Sequence, residues 1–162
     1  MRHTGSGLAV TDFPLAYGQI FPSLSAESVA RYNQELIDTN QRLFADGPVT
    51  SGQILIHMLH RFWAIVVAAV AVTLSIKLLR TKDLPPRVKM LGRILVYLVT
   101  AQLCLGAFTV LSQKAVDVTT AHVATGALIL VTSILLVFHL AKVYQVRLKK
   151  FSFVYSTKRA IA

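Results

Sequence analysis

The stretch "IHMLHRFWAIVVAAVAVTLSIKLLR", residues 56–80, decides the fold. From Phe62 to Ile76 it holds no ionisable side chain. With its flanks, from about Gln53 to Leu79, it is long enough to cross a hydrocarbon core of about 30 Å at about 1.5 Å of rise per helical residue. Two further apolar segments follow, at about Met90–Leu111 and Val118–Ala141. Between the first two, "KDLPPR" (residues 82–87) stops any helix, because consecutive prolines cannot continue one. Three transmembrane helices are therefore expected.

The composition agrees. Hydrophobic residues make up 54% of the 162, and they concentrate in these three segments, with little in residues 1–51. That distribution is of an all-α integral membrane protein with one polar flank, not of a soluble domain. The net charge of +10 would suit nucleic acid, but its placement does not. Arg80, Lys82, Arg87, Lys89 and Arg93 lie in or beside the loop after the first span, and Lys142, Arg147, Lys149, Lys150, Lys158 and Arg159 follow the third. Such clusters mark cytoplasmic segments, so no nucleic-acid partner is expected. The only cysteine, Cys104, lies within the second apolar segment, so no internal disulfide forms.

Orientation follows from those charges. The loop at 80–93 and the tail are cytoplasmic, and residues 1–51 lie outside, as expected of a multi-pass protein of a cell (inner) membrane. Three parts result: an extracytoplasmic loop and amphipathic helix (1–51), a transmembrane bundle (52–141) and a basic cytoplasmic tail (142–162). Within the first, "TGSGLAVTDFPLAYG" reads as an ordered loop. "SAESVARYNQELIDTNQRLFADG" (residues 25–47) reads as a surface helix capped by Ser25, with Val29, Tyr32, Leu36 and Leu43 on one face and Gly47 at its end. The polar flank would have to cross the membrane with no signal peptide before it. An earlier span of a longer product is the expected explanation.

His60 stands just before the uninterrupted run of the first span, and His122 stands five residues past Asp117 in the third. Both occupy the outer end of a span, at similar depth. Ionisable groups there usually face the bundle interior, and two histidines on facing helices can axially ligate a haem iron. His60 and His122 are thus the candidate metal ligands. Gly126, one turn after His122, leaves room for a flat macrocycle, as does Ala64 after His60. Arg61 could bind a haem propionate or anchor at the interface. His57 shares the face of His60. Gln102, mid-span, could bond a neighbouring helix or the cofactor. Gly106 and Gly126 alike read either as helix-packing residues or as clearance for a haem, Phe62 and Trp63 as interfacial belt residues, and His139 and His3 as polar residues at tolerant positions.

The residues together resemble the haem A synthase family. "HMLHRFWA" is similar to that family's His-Arg element near the start of a second helix. "AQLCLGAFTVL" (101–111) resembles its Gln-x-x-x-Gly stretch, and "TTAHVATGALIL" (119–130) its fourth-helix histidine element. "RHTGSGLAVTDFPLAYGQIFPSL" resembles the loop after the first helix of the family's N-terminal half. The resemblance implies that these are three helices of a four-helix haem-binding bundle. It implies His60 and His122 as ligands of haem b or haem O, with iron as the metal, and a reaction oxidising a methyl group of haem O towards the formyl group of haem A. The family's opening helix and its other half are not in this sequence, so a second copy or a complementary half-protein is an expected partner, beside the haem substrate and membrane lipid. Where well-known members carry a catalytic Glu, three residues before the His-Arg pair, this chain has His57, which takes the catalytic position. The loop also lacks the cysteine pair of some members. The alternatives are a non-catalytic bis-histidine haem b module for electron transfer, and an incomplete fragment that needs a partner.

Overall fold

Caps and prolines set the helix boundaries. In the computed structural model, which describes residues 6–40 and 47–161 with side chains as far as residue 145, four α-helices follow a short 3-10 turn at Ser6–Leu8. Helix α1 spans Ala26–Asp38. The Ser25 hydroxyl accepts from the Ser28 amide at 3.2 Å, and Glu27 faces the helix N-terminus in the first turn. The expected end at Gly47 is wrong. Thr39 closes the helix through its amide and hydroxyl on the Glu35 carbonyl, and Asn40 then turns left-handed (φ 50°). His3 and Leu43 lie outside the described residues.

Helix α2 spans Ser51–Arg80. Thr50 and Gln53 form a reciprocal capping pair before it, each side chain accepting from the other's backbone amide at 3.3 and 3.1 Å. Helix α3, Pro86–Leu111, begins four residues earlier than the apolar pattern, because Pro86 suits a first helical position that needs no amide donor. It closes with the left-handed pair Gln113 and Lys114, whose amides reach the Val110 and Thr109 carbonyls. Helix α4 runs Val116–Ile161, so the basic tail continues the third span as helix instead of leaving it. The side chains of Arg147, Lys149, Lys150, Lys158 and Arg159 lie outside the described residues. There is no strand among the described residues, only a bridge between Ala16 and Gln19.

Helices α2, α3 and the Val116–Gln145 part of α4 are each long and apolar enough to cross a membrane. Only 11–17% of their most apolar stretches is buried within the chain, which leaves most of that surface for lipid or other apolar helices.

The chain divides into two compact units. Residues 1–69 with 100–125 form the first. Its core lies in the N-terminal cap and the first turn of α2, where Ala9, Val10, Ala16, Tyr32, Leu36, Val49 and Ile54 are buried together. Tyr17 stacks on Tyr32 with ring centroids 3.9 Å apart, and its hydroxyl donates to the Ala9 carbonyl. Asn33 ties α1 to the lead-in of α2. It donates to the Val49 carbonyl at 2.9 Å and accepts from the Val49 amide at 2.6 Å. In the second unit, residues 70–99 with 126–162, Gly92 of α3 lies against Ser75 and Leu78 of α2, so the lack of a side chain lets the two backbones approach.

Asn33→Ala removes both bonds to Val49 and should cost the cap about 2 kcal/mol. Hydrogen exchange of the amides in 26–38 should accelerate by more than about tenfold, while exchange in α3 stays unchanged.

Candidate functional site

Helix α2 carries His57, His60 and Arg61 within little more than a turn. At about 100° per residue, His57 and Arg61 stand about 40° apart, and His60 is turned about 60° the other way. The structure separates them accordingly. His57 is 3% exposed, whereas His60 is exposed. The face shared by His57 and Arg61 meets the N-terminal loop.

His57 Nδ1 lies 3.0 Å from the Ser6 carbonyl oxygen. A carbonyl only accepts, so Nδ1 carries the hydrogen and the neutral ring keeps its lone pair on Nε2. Arg61 donates from Nη1 to the Leu15 carbonyl at 2.9 Å and from Nη2 to the Asp12 carbonyl at 2.7 Å. Its Cζ lies 5.7 Å from the Phe13 ring centroid. Arg61, expected at a propionate or as an interfacial anchor, is thus committed to the loop, with only its buried Nε unpaired. From the α3–α4 turn, the Lys114 side chain lies against Gly7, where a methyl group would overlap it. His57, Arg61 and Lys114 together hold the loop over the start of α2.

His122 of α4 meets α3. Its Nε2 lies 3.4 Å from Gln102 Nε2, and its Cε1 would be 3.3 Å from a Cβ placed on Gly106. Gly106 is therefore a bed for the imidazole, a more specific role than general helix packing. The amide nitrogen can only donate, so His122 Nε2 accepts in this arrangement and Nδ1 carries the hydrogen. That Nδ1 and the Gln102 Oε1 are both buried without a partner. His60 and His122 lie close enough for their charges to interact, and His57 lies as close to Arg61, His60 and Lys114. A cluster of cationic and titratable groups at one end of three apolar helices suits an anionic, otherwise apolar molecule.

The remaining sequence candidates lie apart from this cluster. Gly126 lies one turn beyond His122 on α4. His139 donates from Nδ1 to the Leu135 carbonyl of its own helix at 2.8 Å. Cys104, a small residue suited to packing, is instead exposed on α3. The sequence reading missed the Ser6, Asp12 and Leu15 carbonyls and Lys114. The signal for the first three was the spacing of His57 and Arg61, which puts two hydrogen-bond donors on one face turned away from His60. Nothing local points to Lys114.

Residues 47–134 match the COX15-CtaA family model, described as cytochrome oxidase assembly protein. The chain belongs to this family. The match spans more than half of the chain and includes His57, His60, Arg61, Gln102, Gly106, His122 and Gly126. It bears out the resemblance to haem A synthases at the level of the family, and with the three apolar helices it makes this a multi-pass membrane protein. No curated protein and no solved structure matches the chain.

A COX15-CtaA protein of the haem A synthase kind implies haem, and the residues present fit one. Among the described residues no group of three or more His, Cys, Asp or Glu side chains could hold a metal ion. A haem needs only axial donors from the protein, and two imidazoles would suffice. His122 Nε2, which keeps the lone pair, is the atom a metal bond would use in place of the Gln102 contact, and the unpaired buried Nδ1 hydrogen is one that a further acceptor would satisfy.

Arg61→Gln should release the loop. Loss of two charge-assisted bonds, each worth about 1.5–3 kcal/mol, should speed amide exchange in residues 9–19 by more than about tenfold. Arg61→Lys, which keeps the charge but not the fork, should fall between the two.

Proposed function

We propose that this COX15-CtaA protein binds haem between His60 and His122 and oxidises a methyl group of haem O towards the formyl group of haem A. The observation that carries the proposal is a His122 seated on Gly106 and turned to Gln102 by Nε2, near His60, at one end of two apolar helices in a cytochrome oxidase assembly family. A haem iron held by two imidazoles supplies one-electron chemistry.

The chain's own residues divide the remaining work. Gln102 and Gly106 set the orientation of the His122 ring. Gly126, one turn along, leaves room beside it. His57 stands where the resembled family has Glu. With its hydrogen on Nδ1, it offers Nε2 as a proton acceptor in a buried setting. Arg61 and Lys114 supply positive charge for the carboxylates of the substrate. Arg61 gives the loop one hydrogen from each Nη, which leaves three N–H donors, the buried Nε–H among them, for a carboxylate.

The basic residues of the loop and tail support a cytoplasmic side for 80–93 and 142–162, an outer side for the N-terminal part, and an inner membrane as the location. A second copy or a complementary half-protein completes the bundle. A second reading, a non-catalytic haem b module for electron transfer, is favoured by one observation, the histidine in place of the family's Glu at position 57.

A reduced-minus-oxidised spectrum of the purified protein should show bis-histidine haem bands, lost in both His60→Ala and His122→Ala. Incubation with haem O, a reductant and oxygen should yield haem A or its hydroxylated precursor. Haem bands without conversion would favour the electron-transfer reading. Haem that survives both substitutions would overturn the ligand assignment.

A further inference from the structure

From Phe13 to Leu24 the chain reads "FPLAYGQIFPSL", without one charged residue. A loop facing water usually exposes polar side chains. This one exposes Phe13, Leu15, Ile20, Phe21 and Leu24, with Ile20 at 72% and Phe21 at 84%. The neighbouring helix α1 differs, since it exposes Glu27, Glu35 and Asp38.

The backbone of the hairpin within this loop is paired. Ala16 and Gln19 exchange both of their hydrogen bonds, at 2.7 and 3.0 Å. The turn between them is left-handed at Tyr17 and Gly18 (φ 51° and 72°), as a two-residue hairpin turn requires. Both turn amides donate to the Asp12 carboxylate, at 2.8 and 3.0 Å. The Asp12 and Leu15 carbonyls accept from Arg61. Pro14 and Pro22 have no amide hydrogen to satisfy. Apolar side chains outside and a paired hairpin within suit the boundary of an apolar medium, where headgroups and water can satisfy the remaining backbone groups.

The depth also agrees. Arg61 is the last charged residue before the uninterrupted apolar run of α2, so the boundary of the hydrocarbon lies near Arg61 and Phe62. The loop is fastened at that level, because its carbonyls lie within hydrogen-bonding distance of the Arg61 guanidinium. Beside it on α2, Phe62 and Trp63 are exposed, with ring centroids 5.9 Å apart in an edge-on arrangement. The apolar loop surface and the span's interfacial aromatics thus meet at one height.

We infer that residues 13–24 dip into the bilayer leaflet next to α2, with lipid as the partner of Phe13, Leu15, Ile20, Phe21 and Leu24. The loop is then an interfacial anchor, seated where the headgroups meet the acyl chains. It places the cover of the His57 and Arg61 face in contact with the medium from which an amphipathic substrate arrives. The inference needs the spanning of α2 but not the haem reading.

The test uses the full-length protein in vesicles. Trp63 is the single tryptophan, so Trp63→Phe with Phe21→Trp, and separately with Ile20→Trp, reports on the loop alone. Lipid brominated near the headgroup end of its acyl chains should quench each reporter at least as strongly as it quenches native Trp63. Lipid brominated near the terminal methyl should quench them less, and aqueous iodide should have little effect. Strong iodide quenching with no effect of bromolipid would overturn the inference in favour of a water-facing loop. Quenching by neither would also overturn it, since the patch would then be covered by protein. Native Trp63, if not quenched by bromolipid, would instead refute the placement of α2, a separate failure.

Discussion

One guanidinium holds two loop carbonyls, and the N-terminal part of the first unit depends on it. Without Arg61, the Asp12 and Leu15 oxygens would need another donor at the edge of an apolar helix, where few are available. With it, the loop closes over the start of α2, and Asp12 is positioned to accept the turn amides of Tyr17 and Gly18. Tyr17 can then stack on Tyr32, and the small core of the cap forms around that pair. A single charged side chain thereby connects a membrane-spanning helix to a folded cap.

The spans obey a different constraint. In lipid a backbone group without a partner costs several kcal/mol, so an apolar run of this length has one solution, the helix. No comparable force brings the helices together, because a lipid tail is as apolar as leucine. Their contacts accordingly use small residues, Gly92 against Ser75 in the second unit and Gly106 under His122 in the first. The same economy explains why so little of each span is buried within the chain.

Chemistry collects where these two regimes meet. The polar ends of apolar helices tolerate histidine, arginine and lysine, and the cap shields some of them from water. His57 is the clearest case, being buried yet provided with an acceptor by Ser6. His122 is the opposite case, half-buried with an enclosed Nδ1 that nothing among the described residues satisfies.

The sequence by itself determined the three spans, since length and apolarity suffice for a helix in lipid. It determined the start of α1, because Ser25 is a local cap, and the break at "KDLPPR", because proline acts on its own neighbourhood. It also marked His60 and His122 as a pair at equal depth, because helix rise is constant. Tertiary structure alone decided the partners of Arg61 and His57, which lie more than forty residues away in a loop without periodicity. It decided the end of α1, where a Thr39 hydroxyl and a left-handed Asn40 override a helical pattern that continues in the sequence. It decided, too, that Gly106 is the seat of an imidazole. Periodicity assigns a residue to a face of its helix, but what stands opposite that face depends on how helices approach, and that is set by contacts distant in the chain.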